Sequence, residues 1–285
     1  MSDIMTATVA RLRRSRFGKY PWVSMAIIAV FLFAGTFAPL LTSHDPNRPN
    51  LSERLLAPSE QYRLGTDSLG RDILTRLLYG ARTTMKVTSL TLLIGGGAGL
   101  VLGLLAGYLG GVTDAIVARL MDVFLAFPVL FFGLLFAVTL GPGLFSVVIS
   151  ISLVLWARVG RVVRAETIAV KDREYILSAR VSDAAVPRVI VRHVVPNVMP
   201  TFIVLISINL GTVILSEAAL SFLGAGIPLP NSSWGSMITE GQKFITRAWW
   251  IAVFPGTAIT LSVLAINLFG DWLRDFLDPE LRQQL

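Results

Sequence analysis

The 285-residue sequence has no cysteine and only two histidines, His44 and His193. Without thiols there is no disulfide framework, no thiolate metal site and no cysteine nucleophile, and the redox compartment stays open. Neither HExxH nor GxxxxGK[ST] occurs, so a zinc hydrolase and a self-contained P-loop ATPase both lack their motifs. His193 has no second ligand at i±4, which argues against a metal there. Charge is scarce too: 15% of residues are charged, against 54% hydrophobic and a mean hydropathy of +0.68. Such a chain is too apolar for an ordinary soluble domain and reads as a polytopic membrane protein. The net charge of +7 does not point to nucleic acid. Its basic residues flank apolar runs in short clusters, as positive-inside topology places them.

Apolar runs are what the sequence does have. Residues 1–21 are a basic segment, and 22–42 read as a first transmembrane helix, since about 20 apolar residues cross a hydrocarbon core of roughly 30 Å. A cleaved signal peptide is the rival, but the run exceeds the usual apolar region of about 7 to 15 residues. Residues 43–84 form a polar external loop. In its second half, Asp67 to Met85, the residues Leu69, Ile73, Leu77 and Gly80 fall at helical spacing and predict an amphipathic helix.

Residues 85–270 form the core, with five further spans. The first carries Gly95, Gly99, Gly103 and Gly107 every fourth position, a stripe suited to close helix packing. In the next, Phe127-Pro128 predicts a kink or unwinding. A fourth span, about 144–157, leads to a polar loop over 158–197. A fifth, about 198–222, is followed by a second external loop over 223–250, and the sixth covers about 251–269. Residues 271–285 form a polar tail. With both termini and the 158–197 loop on one side, sixteen of the twenty-five basic residues lie there, which makes that side cytoplasmic.

Within that loop, Asp172 to Pro196 is helix-prone and polar. Two short helices joined near Ser182-Asp183 would present a knob to another protein; a plain solvated loop fits the same pattern, and periodicity over such short windows does not separate them. Pro187 suits the first turn of the second helix.

The stretch resembles the EAA loop of ABC-importer permeases of the dipeptide, oligopeptide and nickel type, in which E-Y-x-x-A-A-R-x-x-G precedes R-I-I-x-R-H-I-L-P-N. The sequence matches at Glu174, Tyr175, Ala179, Arg180, Arg188, Ile190, Arg192, His193, Pro196 and Asn197. It departs at Ser178 and at Asp183, where the family has Ala and Gly. Gly65-Thr66-Asp67, Gly70-Arg71-Asp72, Arg76, Gly80 and Arg82 are similar to the signature of the C-type subunit. Further matches lie at Asp114, Arg119, Asp122 and Phe127-Pro128, at Glu217-Ala218 and Leu220 to Gly224, at Trp234-Gly235, and at Asn267 to Pro279.

The resemblance implies an all-α permease with about six transmembrane helices in the type I importer fold, set in the bacterial inner membrane with both termini cytoplasmic. It implies a homologous B-type permease, two ATPase domains that bind ATP and Mg, an external solute-binding protein and a peptide substrate. Nickel or another small solute is the alternative cargo. The subunit itself would be non-catalytic and hold no cofactor. It assigns contact with the ATPases to Glu174, Tyr175, Ile176, Leu177, Ser178, Ala179, Arg180, Asp183 and Arg188. Asp183 in place of Gly would keep the turn, because Asp enters left-handed backbone at roughly 1 kcal/mol.

Three further expectations come from residues in apolar or turn-rich surroundings. Glu217 is an intramembrane carboxylate, hence a candidate gate, helix tie or substrate contact, with the first two favoured by its place near the external turn. Asn209, two turns below it, is a candidate pathway residue. Asp67, Arg71, Asp72 and Trp234 are candidate docking residues for an external partner, although the balanced charge of their loop fits intramolecular pairing equally. A secondary transporter would need inverted repeats and several buried ion ligands. An intramembrane enzyme would need a paired nucleophile and base. Neither set is present.

Overall fold

In the computed structural model, residues 21–176, 185–228 and 231–277 are described. Helix α1 (Pro21–Leu41) is apolar on all sides and mostly exposed, as a lipid-facing span should be. A hydrogen-bonded loop with one 3₁₀ turn (Leu51–Glu53) leads to α2 (Ile73–Thr91), which passes through a π turn (Leu92–Gly96) into α3 (Gly97–Leu109). These make one 37-residue span. Then come α4 (Gly111–Ala126), α5 (Val129–Leu140) and α6 (Leu144–Lys171). After α7 (Val186–Val189) a second π turn (Ile190–Val194) runs into α8 (Val195–Phe222), followed by α9 (Trp234–Gln242) and α10 (Trp250–Leu277). Among the described residues, five helical stretches are long and apolar enough to cross a membrane, and α4 with α5 makes a sixth if that broken pair counts as one span. Among the described residues there is no strand, only an isolated bridge between Thr66 and Asp72.

The expected break at Phe127-Pro128 is a bend of 83° between α4 and α5. Phe127 is extended and Pro128, which has no N–H to give, caps α5. The amphipathic helix begins at Ile73 rather than at Asp67. The Asp67 side chain accepts from the N–H groups of Leu69 and Arg71, and Gly70 has φ +73, so this segment is a turn. A Cβ at Gly70 would meet the Asn50 carbonyl, which leaves no other residue for that position. The helix starts once Asp72 caps it, accepting from Thr75 N at 2.8 Å.

The glycine stripe packs on α6. Cβ atoms at Gly95, Gly99, Gly103 and Gly107 would lie 2.7–2.9 Å from Ser152 and from the carbonyls of Trp156, Gly160 and Arg164. Both helices step by four along the contact and run in the same direction. In lipid, where burying apolar surface drives little association, that backbone approach supplies the packing.

Helix α6 is the most enclosed span and does not end at Ala157; it continues to Lys171, so the first part of the expected 158–197 loop is helix. Val159, Val163 and Val170 on this extension are buried, while Arg161 and Arg164 reach Asp122 and Asp114 of α4. A stripe of valines with paired arginines keeps the helix going where the apolar run stops. Among the described residues beyond position 184, α7 opens at Val186, with Pro187 in its first turn.

Candidate functional site

Chemistry-bearing residues gather at three levels. One end holds the loop of residues 42–72, α9 and the start of α10. Trp250 Nε1 donates to the Thr66 carbonyl at 3.1 Å, and Trp234 Nε1 to the Leu77 carbonyl at 2.9 Å. Beneath them lies an ion cluster. Asp67 accepts from Arg71 Nε at 2.7 Å and Arg76 Nη1 at 2.6 Å; Glu240 accepts from Arg71 Nη2 at 2.8 Å and from both terminal nitrogens of Arg76. Two guanidiniums face two carboxylates, so the cluster is neutral, as buried charge must be. Nearby, the Tyr62 hydroxyl donates to Glu53, and that hydrogen bond raises the phenol above its ordinary pKa.

Asp67, Arg71, Asp72 and Trp234 are therefore buried within the chain. Asp67 and Arg71 are ion-paired within the chain, Asp72 caps α2 and Trp234 bonds the Leu77 carbonyl. A partner at this end would meet the surface these four hold together, not their side chains. Glu240, the fourth member of the cluster, was missed because it lies 164 residues from Arg76 and no local pattern links them.

In the last third of α8, Glu217 is fully enclosed. It accepts from the Ser221 hydroxyl at 2.9 Å and the Thr84 hydroxyl of α2 at 3.4 Å, so it ties two helices together. Asn209 is also buried, but eight residues turn an α-helix by about 80° beyond two full turns, and it meets a different neighbour. Its Nδ2 donates to the Leu205 carbonyl at 2.7 Å, and its Oδ1 lies 3.4 Å from Arg158 Nη1 of α6. Asn267 of α10 packs its Oδ1 against Gly211 of α8, 2.7 Å from where a Cβ would stand. Arg158 was assigned to the loop rather than to a span. Its signal lay in the valine stripe that carries α6 past Ala157.

The opposite end holds the EAA stretch. Glu174, Tyr175 and Arg188 are exposed, whereas Ile176 is fully buried in one cluster with Val170 of α6 and Val189, Val194 and Val198 of the path into α8. Leu177, Ser178, Ala179, Arg180 and Asp183 lie outside the described residues. A cavity of about 520 Å³ opens beside the stretch, lined by Glu166, Arg173, Asn197 and Arg274 among others. The arrangement is a polar face fixed to two long helices by one apolar pin.

Residues 99–283 match the family described as binding-protein-dependent transport system inner membrane component. The chain belongs to that family. As a permease subunit of this kind it is similar over most of its length to characterised relatives. It is 40% identical over 260 residues to the dipeptide transport system permease protein of Alkalihalophilus pseudofirmus, covering 91% of this chain and 86% of the relative. It is 35% identical over 270 residues to the oligopeptide transport system permease protein of Bacillus subtilis, covering 95% and 88%. The probable D,D-dipeptide transport system permease protein of Escherichia coli is 38% identical over 257 residues, covering 90% and 86%. The type I importer fold expected from the sequence agrees with this membership and with the all-helical architecture.

Proposed function

We propose that this permease subunit forms, with a homologous second permease, the pathway of an ATP-driven importer for di- or oligopeptides across the bacterial cytoplasmic membrane. In this reading both termini and the EAA stretch are cytoplasmic. Two ATPase domains, which bind ATP and Mg, grip that stretch, and a solute-binding protein delivers peptide to the end carrying the 42–72 loop and α9. The subunit contributes motion and a pathway and catalyses nothing itself. The names of the relatives support peptide as cargo.

The observation that carries the reading is Ile176. Buried among residues of α6 and of the path into α8, it makes the exposed Glu174–Tyr175 face and Arg188 move with those helices. Closure of the ATPases would then tilt α6 and α8 together and expose the pathway to each side in turn.

The test is uptake of labelled dipeptides by proteoliposomes holding the whole complex. ATP-dependent accumulation that stops when the ATPase P-loop lysine is replaced supports the proposal. Accumulation that survives that replacement, or none with peptides of any length, overturns it.

A further inference from the structure

Three arginines lie on one side of α6 at every third position, and their partners differ. Arg164 pairs with Asp114, and Arg161 with Asp122 at 2.6 Å, both acids being on the antiparallel α4. One step further, where a third acid would stand, α4 has ended at Ala126 and the chain turns through 83° at Phe127-Pro128. Arg158 is thus left without a carboxylate among the described residues, and its hydrogen bond to Asn209 is a long one of 3.4 Å. Its side chain is exposed on the bundle, yet the residue stands well along the span. Arg158 is fourteen residues, or about 21 Å at 1.5 Å per residue, from the start of α6 at Leu144, in a hydrocarbon core of roughly 30 Å.

The guanidinium faces a small groove between α6 and α8 whose other polar lining is Asn209, Thr212 and Ser216. Val129, the first residue of α5, closes it on one side. No side chain caps α5, so the positive end of its backbone dipole adds to the same sign of potential. The groove's volume is about 30 Å³, room for a carboxylate-sized group and not for a whole solute. An unpaired, partly exposed guanidinium at this depth is costly, and such a group marks a ligand pathway.

We infer that Arg158, with Asn209 beside it, binds the terminal carboxylate of the transported solute part-way across the membrane. The planar fork of arginine matches a carboxylate with two parallel hydrogen bonds. Asn209 orients the fork, and Thr212 offers a hydroxyl donor, whereas the Ser216 hydroxyl donates to the Thr212 carbonyl at 2.8 Å. The inference rests on the peptide reading, because a peptide always carries such a terminus.

The experiment compares uptake of alanine peptides of two to five residues with uptake of the same peptides amidated at the C-terminus. It uses the reconstituted complex, with the solute-binding protein saturated in each case. The wild type is expected to prefer the free acids. Arg158→Gln should slow the free acids about tenfold or more relative to the amides, as loss of a charged hydrogen bond implies. Arg158→Lys should keep part of the preference. Recovery of assembled complex by size-exclusion chromatography checks folding; if Arg158→Gln does not assemble, an acid-to-amide ratio unchanged in Arg158→Lys overturns the inference. Equal slowing of both sets, as an arginine paired to the second permease would give, overturns it too, and so does slowing of neither. Equal wild-type rates for acids and amides overturn this inference alone, whereas uptake of neither set overturns the peptide reading and this inference with it.

Discussion

Arg76 holds Glu240 with both terminal nitrogens, at 2.8 and 3.0 Å, across 164 residues of chain. This pair fastens α9 to the start of α2, and it shares Arg76 with the fully enclosed Asp67. Removing Glu240 leaves two guanidiniums against one carboxylate. Glu240→Ala should cost about 3–5 kcal/mol, the usual penalty for breaking a buried ion pair, seen as a lowered unfolding midpoint in lipid. By contrast, Arg161→Ala, which removes half of an exposed pair, should cost at most about 1 kcal/mol.

Gly80 and Trp234 form a second tie at the same end. A Cβ at Gly80 would stand 2.5 Å from Trp234 Cδ1, too close for the indole to stay. Gly80→Ala should destabilise by about 1–3 kcal/mol through overpacking. In the Trp234→Ala background the clash is gone, so the same change should cost almost nothing further. A double-mutant cycle on thermal stability measures that difference.

The stripe on α3 makes a sharper contrast within one helix. At Gly103 a Cβ would lie 2.7 Å from the Gly160 carbonyl, whereas at Gly97 nothing lies within 4 Å. Gly103→Ala should push α3 off α6 and lower stability by about 1–3 kcal/mol. Gly97→Ala should be neutral or stabilise by up to about 1 kcal/mol, since Ala suits a helix better. Parallel melting curves of the two variants check both signs.

Glu217 is expected to act as a helix tie. Glu217→Gln keeps the shape and can still bond Ser221 and Thr84, so stability should change by less than about 1 kcal/mol. Glu217→Ala leaves two buried hydroxyls without this partner and should cost about 1–3 kcal/mol. If the Gln variant melts as low as the Ala variant, the tie needs more than hydrogen bonds.

The features legible in the sequence were those with a local cause. Pro128 has no N–H, so the break before it could be placed; glycine every fourth residue gives a flat face whatever it packs on. What that face meets was not legible, because the matching stripe is on α6 and sequence spacing carries no tertiary contact. The end of α6 was misplaced for a similar reason: Arg158, Arg161 and Arg164 look like the start of a loop until Asp122 and Asp114 are known to sit opposite two of them. The start of α2 was set too early because Leu69 fits the helical spacing, yet it lies in a turn held by the Asp67 side chain. Of the EAA stretch, the exposed face was legible and the role of Ile176 as its pin was not.

The absence of cysteine permits the most direct test of coupling. A single cysteine placed by Glu174→Cys, in the complex with cysteine-free ATPases carrying one cysteine on their membrane-facing surface, should form a disulfide cross-link to an ATPase subunit. The cross-link should abolish ATP-driven uptake until reduced. A cysteine placed by Leu51→Cys, exposed at the opposite end, should form none. The account is contradicted if the cysteine at position 174 stays free, or if the one at position 51 cross-links to the ATPase equally well.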